Sequence, residues 1–535
     1  MDDGGMKILN TGPTEMALRT QAVDGATLQT ALARWREALG PAHVVADGDE
    51  VAAANQATFA PTGQVLAIIR PSTTEEVQAC MRAAHELRIP VYPVSRGRNW
   101  GYGSRTPVQG AAVLMELRRM DRVLEFDEDL AYIRVQPGVT FQQLAEFLDA
   151  QGSALQIHAT AGPADGSMVG NTLERGQSHG PSTSAGRGVG DFEVVLADGR
   201  VVNTSSRRFP SAPHGAVEPF PAGPDVTGMF FESNAGIVTA MTVWLTRRWK
   251  DMRVLRLGLK DQDAFRRTLA GVRDLMQDGV LLPRSVLFNN EYRLRNAGAK
   301  PWVHVDENGE SLILPGGERA RMLPMWVGRD LAWACNVTLC APDPAIGERL
   351  QQIAREALAP LADVVFEATL SGVASRPSPE YEWFPLWNKP TSSRDAPDLD
   401  HERVGYIFVA PVVPADPVQV QHVYDTMCRT MLEHGFEPFI NLRFWEPRSL
   451  VFVGSIVWDR DDAGADERGL RCFDALMGPL GEEGYLPYRI PTFHMQRLPR
   501  PADDWGGFWR DVKRALDPHD VLSPGRYDFR YAWPD

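Results

Sequence analysis

The chain has 535 residues, too many for one ordinary hydrophobic core, so two or three domains are expected. Hydrophobic residues at 44% and charged residues at 23% describe a soluble globular protein and exclude a disordered one. A net charge of −14 argues against nucleic acid or an anionic membrane as the main partner, though clustered arginines can still build a local anion site.

At the N-terminus, MDDGGMKILNTGPTEMALRT lacks the continuous apolar core of a secretory signal. No apolar run of about eighteen residues follows that would span a bilayer, so a cytoplasmic protein with no membrane partner is expected. Residues 65–94 read as strand, helix, strand. VLAIIRP is apolar and β-rich, and Ser72 to Glu75 form a capping box in which hydroxyl and carboxylate satisfy orphan N–H groups. Val77, Cys80, Met81, Ala84 and Leu87 then recur at helical spacing and predict one buried face. Ile89–Val94 is the next strand, its prolines marking an edge or a strand end.

The stretch VYPVSRGRNWGYGSRT, Val91–Thr106, carries the most information. Gly97, Gly101 and Gly103 fall directly after a strand, and glycine both accepts positive φ and lets backbone N–H groups approach a ligand. Successive N–H groups in such a turn form a nest for phosphate oxygens, and Arg96, Arg98 and Arg105 favour an anion there. On these residues alone, a plain surface loop is an equally good reading.

Further on, Ala112–Leu117 and Ala131–Val135 read as strands, and Thr140 to Gln143 form a second capping box opening a helix to about Ala150. Asp191–Asn203 reads as a hairpin around Asp198-Gly199, and Ile237–Leu245 as another strand, completing an α+β unit. Beyond Arg248, longer strands (Arg253–Lys260, Ala332–Ala341, Val404–Pro411, Ser449–Trp458) alternate with helices at 261–277, 343–359, 416–435 and 465–480. They predict a second domain with a mixed or antiparallel sheet covered by helices. The Pro-, Ser- and Trp-rich loop Ser375–Asp398 is long enough to be functional or mobile. The five cysteines are scattered without CxxC spacing, and the eleven histidines show no HExxH, so reduced thiols and no metal are expected.

Taken in order, RPSTTEEVQ, IPVYPVSRGRNWGYG, YIRVQPGVTFQQLAEFL, DGSMVGNTLERG, FEVVLADGRVV, FFESNAGIVTAMTVWL, GYLPYR and KRALDPHDVLSPGR resemble segments of the vanillyl-alcohol oxidase and para-cresol methylhydroxylase family. The series touches both halves of the chain, with gaps in the middle. The resemblance implies an α+β, two-domain flavoprotein of the PCMH-type FAD-binding fold. Residues 1–248 would form the FAD-binding domain and 249–499 a substrate or cap domain with a mixed or antiparallel sheet. Residues 500–535 would return to the FAD-binding domain. The family fold is not of the Rossmann type, so no GxGxxG is expected.

By the same resemblance, Ser95, Arg96, Gly97, Arg98, Asn99, Trp100, Gly101 and Gly103 would hold the pyrophosphate. Gly166, Ser167, Gly170, Asn171, Gly176, Gly236, Ile237 and Val238 would lie along the flavin. Read alone, Asn171 is also a good turn residue. In phenol-oxidising members two tyrosines and an arginine grip a phenolate oxygen, and Tyr102, Tyr488 and Arg489 fall at those positions. A free phenol has a pKa near ~10, and each unit of lowering needs about 1.4 kcal/mol of preference for the anion. An arginine fork and two hydroxyl donors in a dry pocket can supply several such units. The bland alternative is that Tyr488 and Arg489 form a structural pair at a domain junction.

The implied activity is FAD-dependent oxidation of a para-substituted phenol, by hydride transfer from the benzylic carbon to flavin N5 through a quinone methide. Oxygen would be the acceptor, making an oxidase rather than a dehydrogenase, with a small aromatic substrate and a homo-oligomeric assembly. Two alternatives stand beside it: a non-phenolic alcohol or amine on a larger metabolite as substrate, and flavin binding without redox turnover.

Two departures qualify the resemblance. Val451 or Phe452 stands where several members attach FAD covalently, Asn99 replaces the histidine of more distant relatives, and no histidine-rich stretch lies between Asp47 and Thr58. Dissociable FAD is therefore expected. Gly162 stands where vanillyl-alcohol oxidase has an aspartate near flavin N5, leaving Asp165 as the expected acid–base residue and His158 and His179 as other candidates. A loop carboxylate or histidine is, however, usually just solvated. Trp100, Trp383, Trp387, Phe439 and Trp445 are candidates to wall an aromatic pocket, with ordinary core packing as the alternative.

Overall fold

The computed structural model describes residues 23–157, 160, 162–177, 188–220, 223–293, 331–369, 398–499 and 501–528. Apolar alternation builds three main sheets. Gly63–Ile69 runs parallel to Gly110–Glu116, which runs parallel to Val91–Val94, with Val44–Val45 antiparallel at the other edge. Helices Gly25–Leu39 and Thr74–Leu87 bury Trp35, Val77, Cys80 and Met81 in a core shared with Ile69, Val113 and Met115. The cap of the second helix lies one residue later than expected. Thr73 accepts from the Glu76 N–H at 3.2 Å, and the Glu76 carboxylate accepts from the Ser72 N–H at 2.6 Å. Ser72–Glu75 and Thr73–Glu76 both fit the capping spacing, and the chain uses the latter.

The next sheet is antiparallel, in the order Val123–Asp127, Tyr132–Val135, Ile237–Trp244, Val189–Val195, Val201–Asn203. Here the box at Thr140 forms as expected and opens helix Phe141–Ala150. The C-terminal stretch packs back onto the first sheet. Helix Trp505–Leu516 carries Lys513, fully buried, whose ammonium donates to Asp517 at 2.7 Å and to the carbonyls of Asn234 and Leu522 at 2.9 and 3.1 Å. The Val521 carbonyl then accepts from the Val91 N–H at 2.7 Å, and the Ser523 N–H donates to the Val91 carbonyl at 2.9 Å.

Between these parts lies a larger sheet. Its order is Val364–Thr369, Asp251–Leu259, Trp333–Ala341, Val286–Asn290, Phe439–Glu446, Ser449–Asp459, Val404–Val409, with Val412–Pro414 also on Ser449–Asp459. Every pairing among the described residues is antiparallel, which settles the mixed-or-antiparallel expectation. Helices Gln262–Gln277, Pro344–Leu358, Pro417–Glu433 and Ala465–Glu482 supply the core on one face. Strand Phe439–Glu446 shows what the period of two does: Ile440, Leu442 and Phe444 enter that core, while Phe439, Asn441 and Arg443 line a cavity on the opposite face. Among the described residues, no helix is long and apolar enough to cross a membrane, and no His, Cys, Asp and Glu cluster suits a metal ion.

Candidate active site

A cavity of about 320 Å³ lies between the glycine turn and the large sheet, the size of a small-molecule site. Ser95, Arg96, Gly97, Arg98, Asn99 and Trp100 line it from the turn. Gly97 sits at φ +70°, and a Cβ there would meet Arg105 Cγ at 2.4 Å, so only glycine fits. The turn closes itself with the N–H groups of Gly101, Tyr102 and Ser104, which donate to Thr58 Oγ1 and, twice, to the Asn99 carbonyl. The N–H groups of Arg96, Gly97, Arg98 and Asn99 have no acceptor among the described residues. Unpaired N–H groups at a cavity wall require an acceptor, and an anion answers that need.

Gly166, Ser167, Gly170, Asn171, Gly236, Ile237 and Val238 line the same cavity. Asn171 Nδ2 is buried without a partner among the described residues. The expectation needs correction at three glycines. Gly101, Gly103 and Gly176 do not line the cavity. Gly101, at φ +75°, lies where a Cβ would strike the rings of Phe408 and Tyr406 at 2.7 and 2.8 Å, so its role is close packing of the turn on the large sheet. Gly103 packs on Thr492 and Gly176 on the Asn171 side chain. This donor set, with Arg96 and Arg98 beside the turn, fits a group that carries a diphosphate and a flat polar-edged ring.

Asp165 also needs correction. Its carboxylate accepts from Arg98 Nε and Nη2 at 3.0 and 2.7 Å, its carbonyl accepts from Arg96 Nε at 3.2 Å, and it does not line the cavity. It orients the two arginines instead of meeting a substrate. Gly162 does line the cavity. His158, His179, Trp383 and Trp387 lie outside the described residues.

Deeper in the cavity the structure brings Tyr102, Tyr488 and Arg489 together. The Arg489 guanidinium lies 4.3 Å from the Tyr102 ring centroid, and Tyr488 lies close enough to the Tyr102 hydroxyl to raise its pKa. Arg489 Nη2 donates to Asn99 and lies 3.7 Å from Glu174, while Arg489 Nε is buried with no acceptor among the described residues. Burial works against the Arg489 charge, but the Tyr488 and Tyr102 oxygens and Glu174 outweigh it and keep the group protonated. Burial, then Tyr488, pushes the Tyr102 hydroxyl well above its ordinary range against the pull of Arg489, so it remains a donor at neutral pH.

Several residues around this cluster escaped the sequence reading. Glu174 accepts from Arg526 and, at 3.2 Å, from the Tyr527 hydroxyl, and Arg526 also donates to the Tyr92 hydroxyl. Burial opposes the Glu174 charge, yet Arg526 and Arg489 hold its carboxyl below the usual range. Next to it, burial and the charge of Glu174 push the Glu232 carboxyl up to about 8. Glu174 and Arg526 sit inside LERG and SPGR, segments whose charged residues were legible but whose pairing was not.

The opposite wall is one face of the large sheet. Trp445 meets Tyr488 with ring centroids 5.1 Å apart, and Phe408 meets Tyr102 at 5.4 Å. Beyond Trp445 on the same strand face come Arg443, Asn441 and Phe439, and the Arg293 guanidinium lies 4.3 Å from the Phe439 ring centroid. Phe439 and Trp100 thus line the cavity, as does Tyr406, whereas Trp445 does not line it and instead packs behind Tyr488.

Residues 65–205 match the family model described as an FAD binding domain. Along its length the chain is 35% identical to the 1'-carboxy-chondrochloren decarboxylase of Chondromyces crocatus, covering 95% of this chain and 98% of that relative. It is 25% identical to the 4-cresol dehydrogenase [hydroxylating] flavoprotein subunit of Pseudomonas putida, covering 95% and 97%. Its fold is similar to that of the 4-ethylphenol oxidase of Gulosibacter chungangensis, with a TM-score of 0.81 at 24% identity over 96% and 99% of the two chains.

Proposed function

Because the chain belongs to the vanillyl-alcohol oxidase and para-cresol methylhydroxylase family, whose members are FAD-dependent oxidoreductases, we propose that it oxidises a para-substituted phenol at the benzylic carbon. The observation that carries this reading is Arg489 Nε, a buried guanidinium donor without an acceptor among the described residues, beside Tyr102 and Tyr488. A phenolate oxygen supplies the missing acceptor. Arg489 offers a fixed positive charge, Tyr102 a hydroxyl that stays protonated, and Tyr488 a second hydroxyl. Together they favour the anion over the neutral phenol by roughly the strength of two or three charge-assisted hydrogen bonds.

When bound, FAD supplies the two-electron acceptor for the benzylic hydride. The clamp's contribution is to keep the ring oxygen ionised, so that its electron pair enters the ring as the hydride departs and a quinone methide forms. Phe408 and Trp445, packed on the two tyrosines, help exclude water from the clamp. Arg96 to Asn99 would hold the diphosphate by their N–H groups, and Asn171 and Gly236 to Val238 would lie along the ring system. We read residues 1–248 and 500–535 as the cofactor-binding domain and 249–499 as the substrate domain.

The same reading has FAD dissociable. Val451 and Phe452 are fully buried apolar side chains, and no His or Cys lines the cavity among the described residues. Oxygen is proposed as the acceptor. A second reading is favoured by the relative named as a decarboxylase: loss of a carboxyl group from a larger metabolite. A panel of para-alkylphenols, with and without a carboxylate on the side chain, tests both, read as anaerobic bleaching of the flavin, peroxide release in air and carbon dioxide evolved. Failure of every phenol to bleach the flavin refutes the main proposal.

A further inference from the structure

The cavity contains a second cationic cluster that the phenol clamp does not use. Arg293 follows strand Val286–Asn290, and Arg443 lies on the neighbouring strand Phe439–Glu446; both line the cavity. The Arg293 guanidinium stacks on Phe439, and among the described residues it has no carboxylate partner. Arg443 keeps other partners. Asn441, between Phe439 and Arg443 on the same strand face, has a buried Oδ1 with no partner among the described residues.

Arg293, a guanidinium in the cavity wall with no carboxylate partner among the described residues, loses hydration beside a second guanidinium, a cost that an entering anion relieves. In keeping with this, burial, then the Arg443 charge, pushes the Arg293 pKa down to about 9. The cluster is also placed for a substrate. Trp445, on the same strand as Arg443, packs on Tyr488 of the clamp, and Tyr488, Arg489, Arg293 and Arg443 all line the one cavity. That shared lining suits a phenol ring whose side chain reaches from clamp to cluster.

We propose that Arg293 and Arg443 anchor a carboxylate on the substrate's para side chain, in the same cavity as the Tyr102–Tyr488–Arg489 clamp. The proposal rests on the phenol reading and adds the substrate class: a para-hydroxyphenyl acid rather than a neutral alkylphenol. A carboxylate suits the pair because its two oxygens can each accept from a planar guanidinium fork.

The test uses the FAD-loaded protein and two ligands, 3-(4-hydroxyphenyl)propanoate and 4-propylphenol, titrated anaerobically against the flavin spectrum. The wild-type protein is expected to bind the acid at least about tenfold more tightly than the neutral phenol. Arg293→Gln and Arg443→Gln should each reduce that preference by about tenfold, and Arg293→Lys should restore part of it. Equal affinity of the wild-type protein for both ligands, a measurement that needs no variant, overturns the anchor and leaves the phenol reading standing. So does a preference that survives both glutamine substitutions. Binding of neither phenol by a flavin-replete protein overturns the clamp and the anchor together.

Discussion

The glycine turn after Val94 and the strand Phe439–Glu446 face each other across one cavity, yet they present it with different parts of the chain. The turn offers backbone: four N–H groups without acceptors among the described residues, around a Gly97 at positive φ. The strand offers side chains, Phe439, Asn441 and Arg443, projecting from every second residue of a sheet whose other face is core. A backbone wall is suited to a cofactor whose phosphates are the same in every turnover. A side-chain wall can be rewritten one residue at a time without disturbing the fold, and this is where substrate choice belongs.

If that division is right, the largest effect should come from the residue joining the two walls. Arg489→Gln should lower kcat/KM for a para-alkylphenol by about 10²- to 10³-fold, measured on protein shown to retain its flavin. A loss of flavin in the same proportion would assign Arg489 to cofactor binding instead. Gly101→Ala should come next. The positive φ and the close Phe408 and Tyr406 rings should together cost about 2–4 kcal/mol, read as a lower unfolding midpoint.

Glu232 tests the electrostatics beneath the clamp, where Glu174, Arg175, Arg489 and Arg526 surround it. Its carboxyl titrates near 8 in the folded chain against 4.5 ordinarily, so the folded state holds a proton that the unfolded state releases. Its contribution is therefore fully present below about pH 4.5 and is lost as pH rises towards 8. Glu232→Gln should leave the flavin-free protein unchanged at pH 5 and raise its melting temperature at pH 8. An equal shift at both pH values would contradict the raised titration. The smallest effect is expected of Tyr102→Phe, which removes one neutral hydroxyl donor: roughly tenfold in kcat/KM. Released yellow colour after acid precipitation, rather than colour in the pellet, checks the dissociable cofactor.

The same contrast explains what could be read before the fold was known. Backbone-driven features leave glycines, caps and turn pairs in the sequence. The turn at Gly97, the box at Thr140 and the hairpin at Asp198-Gly199 were legible for that reason. Strand Phe439–Glu446 was missed even though Ile440, Leu442 and Phe444 alternate with Asn441 and Arg443, the period of two of a half-buried strand, and what that polar face meets has no local signal. Tyr102, Tyr488 and Arg489 were found only by resemblance. Nothing local says that residues nearly four hundred positions apart share a hydrogen bond, as Asn99 and Arg489 do. Asp165 was misplaced for a related reason: a loop carboxylate near glycines gives no sign of being turned towards Arg98.

The return of the C-terminal stretch carries a consequence for biosynthesis. Lys513 locks the last helix beneath Asn234, Val521 and Ser523 extend the edge at Val91, and Arg526 with Tyr527 closes around Glu174. A nascent polypeptide lacks all of these contacts until residues 505–528 have left the ribosome, so a stop codon placed just before residue 505 should leave a colourless product.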